Sequence, residues 1–71
     1  MLREIRIKHG LRVQQIADAA GLSRPTIDKA ERGYIVSDVS ASRIASAMSK
    51  LSGQVYTIED LCIQTKGRLN E

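Results

Sequence analysis

The chain has 71 residues, of which 27% are charged and 3% aromatic, and 11 Lys and Arg residues against 8 Asp and Glu residues give it a net charge of +3. From this length we expect one small domain without a separate catalytic or sensor domain. One cysteine excludes an internal disulfide and a cysteine-based zinc cluster, and two Tyr with no Trp or Phe argue against binding single strands by stacking. No apolar run reaches membrane-spanning length and no signal peptide opens the sequence, so we expect a cytoplasmic protein with no membrane contact.

The first predicted element is a helix from Met1 to His9, which Gly10 ends. Arg6 is charged yet lies on the apolar side of this helix, and we predict that its planar guanidinium holds the carboxylate of Glu31 through two hydrogen bonds. The alternative is two solvated charges. His9 is the only histidine. Without a second ligand or a paired nucleophile, we predict no metal site, no cofactor and no catalytic residue.

Two short helices with a sharp turn between them are predicted over residues 13–32. Ala17 is small enough for the second helix to cross the first closely, and Gly21 can adopt the left-handed backbone that ends the first helix. Ser23 is predicted to cap the second helix by accepting a backbone N–H with its hydroxyl, and Pro25 fits the first turn, where an N–H would lack an intrahelical partner. This spacing predicts a helix-turn-helix. The alternative is a plain helical hairpin within a bundle.

The second helix of the pair, residues 24–32, is predicted to present a polar outer face, while its apolar side chains point inward. An exposed helix with donors near its N-terminus can enter the major groove of DNA, where each base pair shows a distinct pattern of donors and acceptors. Arg24 and Lys29 can donate to guanine, and Asp28 can accept from cytosine. Alternatively, Asp28 forms surface ion pairs with Arg24 and Arg32, each four residues away.

Basic charge is concentrated in the half of the chain that holds these two helices. Residues 1–33 carry seven basic and four acidic side chains, whereas residues 34–71 carry four of each. This asymmetry is expected where neutralising phosphate groups supplies much of the affinity for a nucleic acid.

The rest of the chain is predicted to form a fourth helix, from Asp38 to Lys50 with Val39 on its apolar face, and a fifth that begins at Thr57. Ser37 or Asp38 can cap the fourth helix. Cys62 is predicted to be an inert, buried thiol that helps to close the core. The apolar side chains left over predict a surface for a partner subunit, formed by Val55, Tyr56, Ile63 and Leu69.

Three segments, LREIRIKHGL, QQIADAAGLS and TIDKAERG, resemble the lambda-repressor-like (Xre/Cro-like) DNA-binding domains, and the resemblance covers roughly residues 2–61. In that family the residues matching Arg6 and Glu31 pair, and the start of the first helix of the motif contacts phosphate. Arg12 and Val13 stand here where the family has a Ser or Thr cap followed by Gln. Val13 cannot donate to phosphate, so Arg12, Gln14 or the backbone N–H groups of that helix end are expected to do so.

The resemblance also implies which side chains meet DNA. Base contacts are expected from Arg24, Pro25, Thr26, Asp28 and Lys29. Phosphate contacts are expected from Arg12, Gln14, Ser23, Tyr34, Ser37, Ser40 and Arg43. Three of these assignments have structural alternatives: Pro25 can be merely a rigid helix start, Tyr34 can pack in the core, and Ser40 can belong to a solvated helix face.

These observations predict an all-α, five-helix domain over residues 1–65, followed by a polar tail over residues 66–71. The expected function is that of a non-enzymatic transcriptional regulator, most readily a repressor of the phage, plasmid or mobile-element type. As a homodimer it would bind an inverted-repeat operator in double-stranded DNA, on the nucleoid, with RNA polymerase as a further partner. The alternatives are the antitoxin of a toxin–antitoxin pair and a protein-interaction module that no longer binds DNA.

Overall fold

The computed structural model describes residues 1–66, and within this range the chain forms four α-helices and no β-strand. They are α1 (Leu2–Lys8), α2 (Val13–Ala20), α3 (Arg24–Glu31) and α4 (Asp38–Ser52). The predicted all-α class and the first four helices are confirmed, with ends within two residues of those expected. The predicted count of five helices is wrong. Within the described residues, no helix is long and apolar enough to cross a membrane.

The turn between α2 and α3 follows the expected backbone. Gly21 has φ 68° and ends α2, and the N–H of Leu22 donates to the carbonyl of Ala17 at 3.0 Å. This left-handed ending satisfies carbonyls that the helix itself leaves free. Ser23 precedes α3 with extended backbone, but its hydroxyl bonds the hydroxyl of Thr26 at 2.9 Å rather than a backbone N–H. The predicted position of the cap is therefore right, and its predicted bond is wrong.

α4 begins at a well-formed cap. Ser37 Oγ accepts the backbone N–H of Ser40 at 3.1 Å, and Val36 and Ala41, on either side of the cap, are both buried. Apolar contact across a helix start in this way fixes the angle at which the chain enters the helix. Val39 is 63% exposed, so its predicted place on the apolar face is wrong. It precedes buried Ala41 by two residues, which turns it about 200° away around the helix.

α2 lies at the centre of the domain and packs against both α4 and α3. Ala17 is completely buried, because a small side chain lets the neighbouring helices approach. The largest fully buried side chains come from every helix and from the segment after α4, and they are Leu2, Ile16, Ile27, Ile44, Met48, Leu61 and Ile63. One core thus fixes the orientation of all four helices.

The predicted fifth helix is a single turn. Its start forms as expected, with reciprocal bonds of 3.0 and 3.1 Å between the backbone N–H groups and side-chain oxygens of Thr57 and Asp60. The turn then ends at Cys62, which has φ 54°, and the N–H of Ile63 reaches back to the carbonyl of Ile58 at 3.2 Å. These are the backbone bonds of a left-handed helix ending, placed one turn after the helix start.

Two predicted environments are consequently wrong. Cys62 is exposed rather than buried, because the left-handed residue projects its side chain away from the core. Ile63 was expected on a partner surface, yet it is fully buried, because the reversal after Cys62 directs it inward. Among the other residues predicted for that surface, Val55 is 87% exposed and Tyr56 is half-buried. Leu69 lies outside the described residues.

Replacing Cys62 with glycine is expected to stabilise the domain by about 0.5–1 kcal/mol, because a left-handed backbone costs an L-residue more than the extra chain entropy that glycine loses on folding. Denaturant unfolding measures the change. Cys62→Ala is the control, since it removes the thiol but keeps the Cβ. If alanine and glycine stabilise equally, the thiol rather than the backbone conformation is responsible.

Candidate nucleic-acid interface

The two sides of α3 differ in burial. Ile27 and Ala30 are buried against the core. The residues expected to contact bases all lie outside this buried side, and Thr26, four residues before Ala30, borders it. Of these, Arg24, Pro25 and Lys29 are exposed and Thr26 and Asp28 are half-buried. We call these five residues the outer face of α3. An eight-residue helix with one buried and one polar side therefore presents the predicted side chains together on a single surface.

The charged side chains of this outer face are free within the described residues. The side chains of Arg24, Asp28 and Lys29 make no hydrogen bond or ion pair there, and neither does the side chain of Arg32, which follows α3. The alternative in which Asp28 pairs with Arg24 and Arg32 is therefore not realised. Donors and an acceptor are available to an external ligand without first breaking an internal contact.

At the start of α2, the cation of Arg12 lies beside the N-terminal end of the helix. Arg12 is exposed, and its own backbone N–H donates to the side-chain oxygen of Gln15 at 2.8 Å. Gln14 is also exposed and donates to Asp18 at 2.9 Å. Val13 is half-buried against the core, which accounts for an apolar residue where the family has a polar one. A helix N-terminus carries partial positive charge, so this end and Arg12 favour an anion together.

The loop between α3 and α4, residues 32–37, is exposed at its centre. Tyr34 is 58% exposed, so the alternative that placed it in the core is wrong. Its hydroxyl has no partner within the described residues. Ser37 donates its hydroxyl to that of Ser40 at 3.0 Å, and Ser23 is exposed at the start of α3. The serine hydroxyls lie at the starts of α3 and α4, and the tyrosine hydroxyl lies in the loop between these helices.

Arg43 projects from the first half of α4 toward the turn between α2 and α3. Its Nη1 lies 3.5 Å from the position that a Cβ on Gly21 would occupy. The guanidinium is exposed, and it is close to the C-terminal end of α2, whose carbonyl groups favour a cation.

The predicted ion pair between Arg6 and Glu31 is present and is largely buried. Arg6 Nε donates to Glu31 Oε2 at 2.6 Å and Nη2 donates to Oε1 at 3.3 Å, while Nη1 donates to the carbonyl of Leu11 at 3.0 Å. The two side chains are only 16% and 8% exposed. This contact ties α1 to the last residue of α3 and so holds the helix that carries the outer face.

In a comparison with protein families, residues 2–52 match the helix-turn-helix family model HTH_3. The chain belongs to the Xre/lambda-repressor-like helix-turn-helix family. The predicted family is thereby confirmed, and the protein is a DNA-binding helix-turn-helix regulator. No curated protein and no solved structure gives a significant match. The match to the helix-turn-helix family ends at Ser52, so the core residues Leu61 and Ile63 lie beyond it.

Two residues near this helix-turn-helix escaped the sequence reasoning. The side chain of Gln15 accepts the backbone N–H of Arg12, the N-cap residue of α2. A glutamine three positions after the cap is typical of a capping box, and this spacing could have predicted the bond. Arg32 is an exposed, unpaired cation at the end of α3, and it was considered only as a partner for Asp28. Its position could have predicted a phosphate contact, because Arg32 leads directly into the loop of Tyr34 and Ser37, which are expected to contact phosphate.

Replacing Arg12 with serine is expected to raise stability and weaken DNA binding at once. A serine oxygen can accept the N–H of Gln15 and complete the capping box, which stabilises by about 0.5–1 kcal/mol. Loss of the cation should lower the slope of log affinity against log salt by about 1. Thermal melting and titrations at several salt concentrations measure the two effects. Arg3→Ser removes the same charge from α1, and an equal change of slope in that control would exclude a specific role for Arg12.

Proposed function

We propose that this regulator is a transcriptional repressor that binds an inverted-repeat operator as a homodimer. The observation that carries the proposal is the outer face of α3, whose charged groups are exposed or half-buried and unpaired within residues 1–66. Unpaired donors on a helix that fits the major groove can exchange water for base edges without breaking contacts inside the protein. A repressor of this kind acts on the nucleoid in the cytoplasm, by blocking the access of RNA polymerase to a promoter.

Recognition divides between bases and phosphates. Arg24 and Lys29 donate to guanine O6 and N7, Asp28 accepts from cytosine N4, Thr26 bonds a neighbouring base or phosphate, and Pro25 contacts a thymine methyl group. Phosphate contacts fix the register of α3 without reading sequence. They come from both ends of the motif and from the following loop and helix, through Arg12, Gln14, Ser23, Tyr34, Ser37, Ser40 and Arg43.

A homodimer would place two copies of α3 in successive major grooves on one side of the duplex. Such dimers read half-sites one helical turn apart, so the symmetry of the operator follows the symmetry of the protein. Val55, at 87% exposed, is a large apolar side chain that a partner subunit can cover. Tyr56 adjoins it and keeps its hydroxyl bonded to His9 at 2.8 Å. We therefore propose the turn that contains these residues as part of the subunit interface.

Selection of bound duplexes from a random DNA library, at two salt concentrations, tests the proposal. An enriched inverted repeat with strongly salt-dependent affinity is the expected result, and its centre-to-centre spacing gives the separation of the two α3 helices. Enrichment of a single unrepeated site would exclude the dimeric operator. No enrichment at either salt would exclude operator binding and favour the protein-interaction module, whereas co-purification of a second small protein would favour the antitoxin.

A further inference from the structure

We infer that the C-terminal segment of residues 61–65 is a positioning element for DNA binding, because it holds the loop of residues 32–37 in the place where that loop can meet the DNA backbone. Thr65 is the positioning residue. This inference rests on the proposed function, since it assumes an operator whose phosphates the loop contacts.

The segment and the loop are joined through their backbones. The N–H of Val36 donates to the carbonyl of Gln64 at 2.9 Å, and Val36 and Thr65 form an isolated parallel β-bridge. The loop's other ties run to its own flanking helices: the N–H of Tyr34 donates to the carbonyl of Lys29 at 2.9 Å, and Ser37 caps α4. The bond from Val36 therefore adds a tie to a part of the chain more than 25 residues away.

The segment itself is anchored in the core. Leu61, Ile63 and Thr65 are buried at every second position, whereas Cys62 between them is exposed. The preceding turn ends at the left-handed Cys62, and beyond it Ile63 and Thr65, two residues apart, are both buried, as on the covered face of an extended chain. Thr65 is 2% exposed although it is polar, so it is held inside the domain beside the buried side chain of Val36. The segment lies beyond the family match, which ends at Ser52, so the matched motif does not include it.

The loop needs such an anchor because its centre is exposed, and in the proposed complex this centre faces the DNA. Tyr34 and Ile35 are both exposed, and Val36 is the residue of the loop that is buried. A loop that is free to move must be ordered when it binds, and the ordering of each side chain reduces affinity. Holding Val36 in place removes part of that cost for Tyr34, whose hydroxyl is then presented to a phosphate.

Thr65→Lys tests the inference in the full chain. A long charged side chain cannot occupy this buried position, so residues 64–66 should leave the loop and the amide of Val36 should lose its protection from hydrogen exchange. Gln64→Ala is the matched control, because Val36 bonds the backbone carbonyl of that residue rather than its side chain. Thr65→Ser keeps the hydroxyl and should retain affinity close to that of the unsubstituted chain. If Thr65→Lys does not fold, Thr65→Ala provides the smaller disturbance.

The decisive readout is phosphate-ethylation interference on the selected operator. We expect Thr65→Lys to lower operator affinity roughly 10-fold, as for loss of one or two hydrogen bonds. It should abolish interference at the same phosphates as Tyr34→Ala, with unchanged base preference. An unchanged pattern, or a uniform loss at all phosphates together with a lower melting temperature, would overturn the inference alone. If the unsubstituted chain selects no duplex, the proposed function fails and the inference fails with it.

Discussion

Replacing Glu31 with alanine is expected to lower the free energy of unfolding by about 2–4 kcal/mol, because it leaves the guanidinium of Arg6 buried without its partner. Arg6 Nε lies 2.6 Å from Glu31 Oε2, and the arginine side chain is only 16% exposed. In a domain of this size, such a loss corresponds to a fall in melting temperature on the order of 10–20 °C. Thermal and denaturant unfolding measure it directly.

The matching control separates this ion pair from other losses of charge on α3. Asp28→Ala removes a carboxylate from the same helix, but that carboxylate has no ion pair within residues 1–66, so stability should change by less than about 0.5 kcal/mol. Replacing Arg6 and Glu31 together by apolar residues should recover most of the loss, because neither charge is then buried alone. If Glu31→Ala melts at the temperature of the unsubstituted chain, the pair is solvated in solution and does not hold α3.

Replacing Arg24 with alanine is expected to relax sequence preference, because one well-placed bidentate contact to guanine is worth about 1–3 kcal/mol of discrimination. The ratio of operator affinity to affinity for unrelated duplex should therefore fall by roughly 5- to 150-fold. Helical content should not change, since the side chain makes no hydrogen bond or ion pair within the described residues. Competition titrations against operator and unrelated DNA give the ratio.

Arg32→Ala is the control for lost charge. Arg32 is an exposed cation next to the other end of the same helix, so its removal should weaken operator and unrelated DNA alike. Arg24→Lys keeps the charge but loses the planar fork, and it should recover only part of the preference. If Arg24→Ala and Arg32→Ala affect the two kinds of DNA in the same way, Arg24 binds phosphate and must be removed from the outer face that reads bases.

Sequence reasoning succeeded where a residue type has few structural roles. Gly21 could be assigned its left-handed φ of 68° because glycine is the residue that adopts it freely. Ala17 could be assigned to the crossing of α2 and α3 because a small side chain shortly before the glycine lets two short helices approach closely. A charged Arg6 among apolar neighbours needed a partner, and Glu31 was the carboxylate whose position on α3 allowed it.

The reasoning failed after α4, where short-range signals conflict. Thr57 and Asp60 form the capping bonds of a helix start, and this local signal suggested a full helix. The left-handed backbone of Cys62 instead ends the helix after one turn, and burial at Ile63 and Thr65 beyond it has the spacing of an extended chain. The neighbouring residues do not decide whether the helix continues beyond its first turn, because the chain that follows packs against the distant loop before α4. The sequence also could not predict that the carboxylate of Asp28 is unpaired, since its spacing to two arginines permits ion pairs without requiring them.

The unpaired outer face of α3 has a consequence for how new regulators can arise. Ile27 and Ala30 contribute to folding from one side of the helix, while the side chains of Arg24, Asp28 and Lys29 make no hydrogen bond or ion pair within the described residues. Substitutions at these three positions can therefore redirect the protein to a different operator at little cost in stability. A duplicated gene could diverge one side chain at a time, and every intermediate would still fold. The same separation makes the outer face suited to laboratory evolution of new DNA specificities.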